Sequence, residues 1–296
     1  MTSDLDARVA DALGVASVRR EGRIQSLWAG YGEVVRYAIP GHPPSRVVVK
    51  HVRPPRGRGR SHDRKLRSYE VEQAWYRDPA RRCGPTCAVP QCLHLAGGAG
   101  EWLFVLEDLD ETRRPPLEAC LRWLAAFHAT FLGERPRGLW KEGTYWHLAT
   151  RPDELAAMPP GPLRDAAGAI DARLRDATWR TLVHGDAKLP NFCTGRDGRV
   201  AAVDFQYVGG GCGMKDVAYL LVGEGEARTE AALDLYFQAL REALPRHEAD
   251  AVEAEWRGLF PWAWADLHRF LAGWAPGWRP SSYDRKLTRR VLDALP

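Results

Sequence analysis

The segment from Leu182 to Leu221 limits this 296-residue chain more than any other. It holds Asp186, Lys188, Asn191, Asp204 and Asp216 at fixed intervals among short apolar runs. Thr181-Leu182-Val183 leads into the first loop, and Val200-Ala201-Ala202-Val203 leads into Asp204. Both runs read as buried strands, and Gly195-Arg196-Asp197-Gly198 between them reads as a hairpin turn. Such a hairpin holds the 186–191 loop and Asp204 side by side at one end of a small sheet.

Transfer of a phosphoryl group to a hydroxyl needs this arrangement. The phosphates of ATP carry several negative charges, so metal ions must bridge them. Mg2+ takes hard oxygen ligands and keeps several waters, so the protein need supply only a carboxylate or two and an amide oxygen. Asp204 and Asn191 suit the metal. Asp186 suits a second role, receiving or orienting the acceptor hydroxyl, and Lys188 can neutralise charge on the transferring group. In the kinase pattern an Asp precedes an Asn by five residues, and a metal-binding Asp follows before Phe. Asp186 and Asn191 have that spacing, and Asp204-Phe205 follows.

His184-Gly185-Asp186-x-Lys188-x-x-Asn191, then Val203-Asp204-Phe205-Gln206 and Lys215-Asp216-Val217-Ala218, resemble the aminoglycoside-phosphotransferase and choline-kinase-like superfamily. Asp204-Phe205-Gln206, where many relatives carry Asp-Trp-Glu, looks like its ecdysteroid-kinase-like branch. Glycine at 185 and the lack of Ala-Pro-Glu after Asp204 argue against a eukaryotic-type protein kinase. The resemblance implies a protein-kinase-like two-lobed α+β fold. Residues 1–109 would form a small antiparallel N-lobe with the nucleotide-binding sheet and hinge. Residues 110–296 would form a mainly helical C-lobe with the catalytic loop and acceptor pocket, the boundary falling near Asp110. It implies ATP and Mg2+ as cofactors and a small hydroxylated acceptor, such as a sterol-like alcohol, an amino alcohol, a sugar or an antibiotic. The alternative is a non-catalytic nucleotide-binding module. Its hallmark would be loss of Asp186, Asn191 or Asp204, and all three are present.

The N-terminal third supplies the nucleotide candidates. Ile24–Trp28, Gly30-Tyr31-Gly32 and Val34–Ile39 read as strand, glycine turn, strand, with Gly30 and Gly32 placed to cover phosphates with backbone N–H groups. Arg46–Val52 is a β-branched strand with Lys50 in its middle. By the resemblance Lys50 pairs the α- and β-phosphates and needs a helix carboxylate. Glu70 and Glu72 are both candidates, and the family pattern, a Glu four residues before Tyr76, selects Glu72. The strand 101–106 runs into Glu107-Asp108-Leu109, which resembles the hinge whose backbone groups near Glu107 and Leu109 bond the adenine edge. Asp216 opens a helix as a plain N-terminal cap, and the resemblance adds that it braces the catalytic loop.

The remaining features set limits. The net charge of +4 is too mild to imply nucleic acid and suits capture of ATP. The run 53–67 carries seven Lys or Arg and one Asp, and reads either as a solvated loop or as a surface for an anion. It lacks aromatic residues, which argues against a nucleic-acid partner. No run approaches the length of a membrane span, and residues 1–10 lack signal-peptide order, so the expected location is cytoplasmic and the six cysteines reduced. Cys83, Cys87, Cys92 and His94 do not have a standard zinc spacing. Gly209–Gly213 reads as a flexible connector. His128 lies on the apolar stripe of a helix from Pro116 to Leu132 and reads as a core histidine. Trp256, Trp262, Trp264, Trp274 and Trp278 form either an acceptor wall or helical core, and Asp266 and His268 are candidates to reach into such a pocket. The oligomeric state is not legible.

Overall fold

Alternating valines decide which way Lys50 faces. A computed structural model describes residues 4–98, 100–109, 113–195, 197–275 and 277–295. In it a helix, α1 (Asp4–Leu13), precedes three antiparallel strands: β1 (Arg19–Leu27), β2 (Gly32–Ala38) and β3 (Arg46–Val52). Helix α2 (Arg60–Arg77) follows, then β4 (Cys92–Gly98) and β5 (Glu101–Glu107). The five strands form one sheet in the order β1-β2-β3-β5-β4. Side chains alternate between the faces of a strand. Val47 and Val49 therefore join Val9, Val35, Tyr37, Leu103 and Val105 in a core under α1. Lys50 turns to the other face, where Val52, Phe104 and Leu106 pack toward α2.

The rest of the chain is mostly helical. Helix α3 (Leu117–Thr130) buries Cys120, Leu121, Leu124, Phe127 and His128, the stripe expected from their spacing. The irregular stretch after it contains the short α4 (Pro152–Ala157) and α5 (Pro162–Asp165), and α6 (Ala167–Arg175) follows. Residues 162–175 thus form two helices, divided at Ala166. Two small ribbons come next. β6 (Thr181–Val183) pairs not across the expected turn but with β9 (Gly209–Gly211), while β7 (Phe192–Thr194) pairs with β8 (Val200–Ala202). Helices α7 (Met214–Leu220), α8 (Glu226–Ala243), α9 (Arg246–Trp274) and α10 (Ser282–Asp293) complete the chain.

The expectation of a flexible connector at 209–213 is corrected: Gly209–Gly211 is a buried strand. Glycine is there for close approach. A Cβ on Gly209 would stand 2.3 Å from the Trp140 carbonyl oxygen, so only glycine lets β9 lie against the 140–143 segment. The tryptophan question also resolves in part. Trp256 and Trp264 are fully buried core, while Trp274 stays exposed at the end of α9 and stacks on Phe270. Asp266 and His268 do not project into an open pocket. Asp266 is buried and paired with Arg269, and His268 is buried beside Asp284 and Trp278.

One apolar core runs from the sheet face through α2 and α3 into α7, α8 and α9. Trp75 of α2 stacks on Phe205 with ring centroids 4.4 Å apart. The helix that carries Glu72 is therefore packed directly against the residue after Asp204. Asp110, taken above as the lobe boundary, lies outside the described residues, as do Arg196 of the expected hairpin turn and Ala99. None of the six cysteines, all among the described residues, forms a disulfide. No helix among the described residues is long and apolar enough to cross a membrane.

Candidate active site

Lys50 spends all three of its ammonium protons inside the cleft. It donates to both carboxylate oxygens of Glu72, at 2.9 and 2.7 Å, and to Asp204 Oδ1 at 3.1 Å. Glu70, the other candidate, pairs with Arg67 on the solvent side of α2. Burial works against the Lys50 ammonium, but Asp204 and Glu72 outweigh it and raise its pKa. Burial also pushes Glu72 up to about 7 despite Lys50 beside it. For Asp204, burial is outweighed by Lys50, which holds that carboxylate down at about 2. Asp204 remains ionised and is the most open of the three, with its side chain 38% exposed. Its backbone adopts φ +68°, a left-handed conformation that non-glycine residues seldom take outside functional sites.

The loop after β6 is held by hydrogen bonds that its sequence spacing permits. Asp216 accepts from the backbone N–H groups of His184 (2.6 Å) and Gly185 (2.9 Å), and His128 Nε2 lies 3.1 Å from the same carboxylate. It caps no N–H of its own helix; it braces the loop. His128 is a core histidine, with Tyr236 as its second partner. His184 accepts from the Asp186 N–H and bonds the Val203 carbonyl through its other nitrogen. It orients the loop and takes no part in an acid–base pair.

Asp186 Oδ2 accepts from Lys188 Nζ at 2.9 Å and from Asn191 Nδ2 at 2.9 Å. Its Oδ1 is buried and lacks a partner of good hydrogen-bond geometry, while the Tyr219 phenol stands against the same carboxylate. Burial raises the Asp186 pKa, against the pull of Lys188. The Asn191 amide donates to the Asp186 carbonyl and carboxylate, so its oxygen points away from those groups. Val203 N–H donates to the Asn191 carbonyl at 2.9 Å and sets Asp204 beside Asn191. The pair offers a carboxylate and an amide oxygen, a hard donor set that fits Mg2+. Among the described residues no three His, Cys, Asp or Glu side chains gather to hold a metal alone. A cation here would complete its shell from phosphate and water.

The sequence of this chain matches the model of the phosphotransferase enzyme family over residues 24–259. The chain belongs to that family. No curated protein sequence matches it significantly. Among solved structures, a putative fructosamine-3-kinase from Thermobifida fusca is similar, at 21% identity over 99% of both chains with a TM-score of 0.59. A macrolide 2′-phosphotransferase from Brachybacterium faecium aligns at 15% identity over 94% of this chain and 93% of its own, with a TM-score of 0.51. An aminoglycoside phosphotransferase from Streptomyces rimosus aligns at 15% over 86% and 96%, with a TM-score of 0.52. At these identities the likeness establishes the kinase-like fold, with its small antiparallel sheet and largely helical remainder.

The glycine turn and hinge of this phosphotransferase are less committed to a ligand. Gly32 has φ +138°, and a Cβ there would stand 2.0 Å from the His51 carbonyl oxygen, so pairing of β2 with β3 already demands glycine. Gly30 has φ +76° with open space around it. The Glu107 N–H is taken by the Gln91 carbonyl at 2.8 Å and is not available to a base. Arg36 pairs at 2.6 Å with the nearly buried Asp108 of the expected hinge. A cavity of about 220 Å³ opens beside Glu107, Asp108 and Leu109, bounded by Ala88, Gly195 and Ala201.

Sequence reasoning missed two parts of the site. Gln206 donates to Asp204 Oδ1 at 2.6 Å and accepts from Ser68 at 3.1 Å, which ties the metal candidate to α2. Its adjacency to Asp204 was the available signal. Arg151 is buried, lies 3.8 Å over the Tyr145 ring, and sits between Glu154 and the Tyr207 hydroxyl. Nothing in its local sequence marks it. Tyr219 adjoins Asp186, and burial followed by the Asp186 charge raises its phenol pKa.

Proposed function

We propose that this phosphotransferase moves the γ-phosphoryl group of ATP to a hydroxyl of a small molecule, and that Asp186, Lys188, Asn191 and Asp204 carry the transfer. The observation behind this reading is the convergence of Lys50, Asp204, Asn191 and Asp186 in one cleft, with Asp186 Oδ1 lacking a geometric hydrogen bond. We assign residues 1–109 to the nucleotide lobe and 110–296 to the catalytic and acceptor lobe. Lys50, held by Glu72, meets the α- and β-phosphates. Gly30 and Gly32 cover them, and the backbone at Glu107 and Leu109 receives the adenine. Asn191 and Asp204 would hold Mg2+, which when bound would supply positive charge to offset that of the phosphates.

In the transfer, the acceptor oxygen bonds to the γ-phosphorus as the β–γ bridging bond breaks, and ADP leaves. Asp186 orients the hydroxyl and takes its proton, late if the transition state is loose. Lys188, hydrogen-bonded to Asp186, stabilises charge on the transferring group. The names of the similar structures include kinases of fructosamine, macrolides and aminoglycosides, whose acceptors all carry hydroxyls. We place the chain on the ecdysteroid-kinase-like side of its superfamily on the strength of Asp204-Phe205-Gln206, and we take its location to be cytoplasmic.

The test is a screen of hydroxylated metabolites with ATP and Mg2+, read by mass spectrometry for gain of one phosphate, with Asp204→Ala as the blank. A phosphorylated product formed by the native chain and absent from the variant is expected. The same product from Asp204→Ala would overturn the site.

A further inference from the structure

Lys65 stands beside Lys50 and, among the described residues, has no ion-pair partner. It lies on α2 seven residues before Glu72 and four before Tyr69, so the three share one face of the helix. The Lys65 ammonium sits 5.7 Å from the Tyr69 ring centroid, and the Lys50 ammonium sits 5.8 Å from the same ring. The basic side chains around Lys65 on α2 are occupied. Arg60 pairs with Asp153, Arg64 donates to the Thr150 carbonyl, and Arg67 pairs with Glu70. Among the described residues no carboxylate is within ion-pair distance of Lys65.

Two facts separate Lys65 from an ordinary helix lysine. It is only partly exposed, and its ammonium feels Asp204 and Glu72 as attraction and Lys50 and Arg151 as repulsion. It shares the Tyr69 ring with Lys50, which bonds the metal candidate Asp204. The other cleft lysines are already engaged. Lys50 can turn only the proton it gives to Asp204 toward a phosphate, and Lys188 is shared with Asp186.

We propose that Lys65 is a second phosphate-binding lysine of this enzyme, contacting the β- or γ-phosphate of the nucleotide from helix α2. This rests on the nucleotide reading given above and adds a residue to it. The chemistry needs such a group. A polyphosphate entering beside Asp204 brings more negative charge than Lys50 can meet while it still holds Glu72. A free ammonium at the cleft edge supplies a charge-assisted hydrogen bond without breaking that pair. Burial lowers the Lys65 pKa, and an arriving anion offsets that cost.

The experiment is calorimetric titration of the full chain with ATP, ADP, AMP and adenosine in Mg2+, for the native protein, Lys65→Met and Lys65→Arg. Lys65→Met is expected to weaken ATP and ADP by about tenfold or more and to leave adenosine and AMP within about twofold. Lys65→Arg retains most of the affinity, and thermal midpoints stay together. Equal weakening of all four ligands in Lys65→Met would assign the residue to packing and overturn the inference. Unchanged ATP affinity, with an altered acceptor KM alone, would also overturn it. Failure of the native chain to bind ATP would instead remove the nucleotide reading, and this inference with it.

Discussion

Gln206 donates to Asp204 Oδ1 at 2.6 Å, and its carbonyl receives the Ser68 hydroxyl of α2 at 3.1 Å. The amide thus ties the proposed metal ligand to the helix that carries Glu72. A hydrogen bond to a charged group is worth about 1.5–3 kcal/mol, or roughly tenfold and more in a binding constant. Gln206→Ala is expected to raise the Mg2+ concentration for half-maximal turnover by about tenfold while leaving the fold intact. An Mg2+ titration of initial rate, with circular dichroism beside it, reads both. An unchanged Mg2+ requirement would mean that Asp204 is oriented without Gln206.

Glu72 gives the cleft a pH response near neutrality. Burial raises its pKa to about 7, so its protonated form accumulates as pH falls through that value. The protonated acid no longer holds Lys50 as an ion pair. Nucleotide affinity therefore falls between about pH 8 and about pH 6, beyond the change due to ATP's own titration. Asp204, held at about 2, stays ionised across that window. Glu72→Gln starts at the weak level and loses the extra pH dependence. Titrations of both proteins at the two pH values check this, and parallel pH profiles would refute it.

Trp75 links α2 to the catalytic segment through packing. It is fully buried and stacks on Phe205, with edge or tilted contacts to Phe127 and Phe131. Deleting such a ring leaves a cavity and costs about 3–5 kcal/mol. Trp75→Ala should lower the urea unfolding free energy by that amount. A loss under about 1 kcal/mol would show that the core closes around the gap.

The catalytic segment was legible because its chemistry fixes both residue type and spacing. A five-residue step from Asp186 to Asn191 leaves few alternatives, and the structure joins the two side chains at 2.9 Å. Lys50 was legible through the resemblance alone; the valine strand by itself allowed an ordinary solvent-facing charge, whereas the folded chain buries the lysine. Pairing was less legible. β6 and β8 are each only three residues long, and nothing local says that β6 meets a glycine triplet rather than the strand after the turn. Gly209 reads as looseness in sequence, but it serves close packing. Asp266 and His268 lie on a helix buried along much of its C-terminal half, so their periodicity could not distinguish a pocket from an internal ion pair. Arg151 shows the same limit. Its value comes from Tyr145, Glu154 and Tyr207, which only the folded chain brings together.

The measurement closest to the central claim is single-turnover transfer of the labelled γ-phosphate from ATP to an accepted hydroxyl compound, by the native chain and by Asp186→Asn. In the transfer proposed above, the buried Asp186 carboxylate, whose Oδ1 lacks a geometric hydrogen bond, receives the hydroxyl proton. The substitution keeps the shape of the site and removes the base. It is expected to leave ATP affinity nearly unchanged and to slow transfer by about 10²-fold or more. Transfer at the native rate by Asp186→Asn would contradict the account.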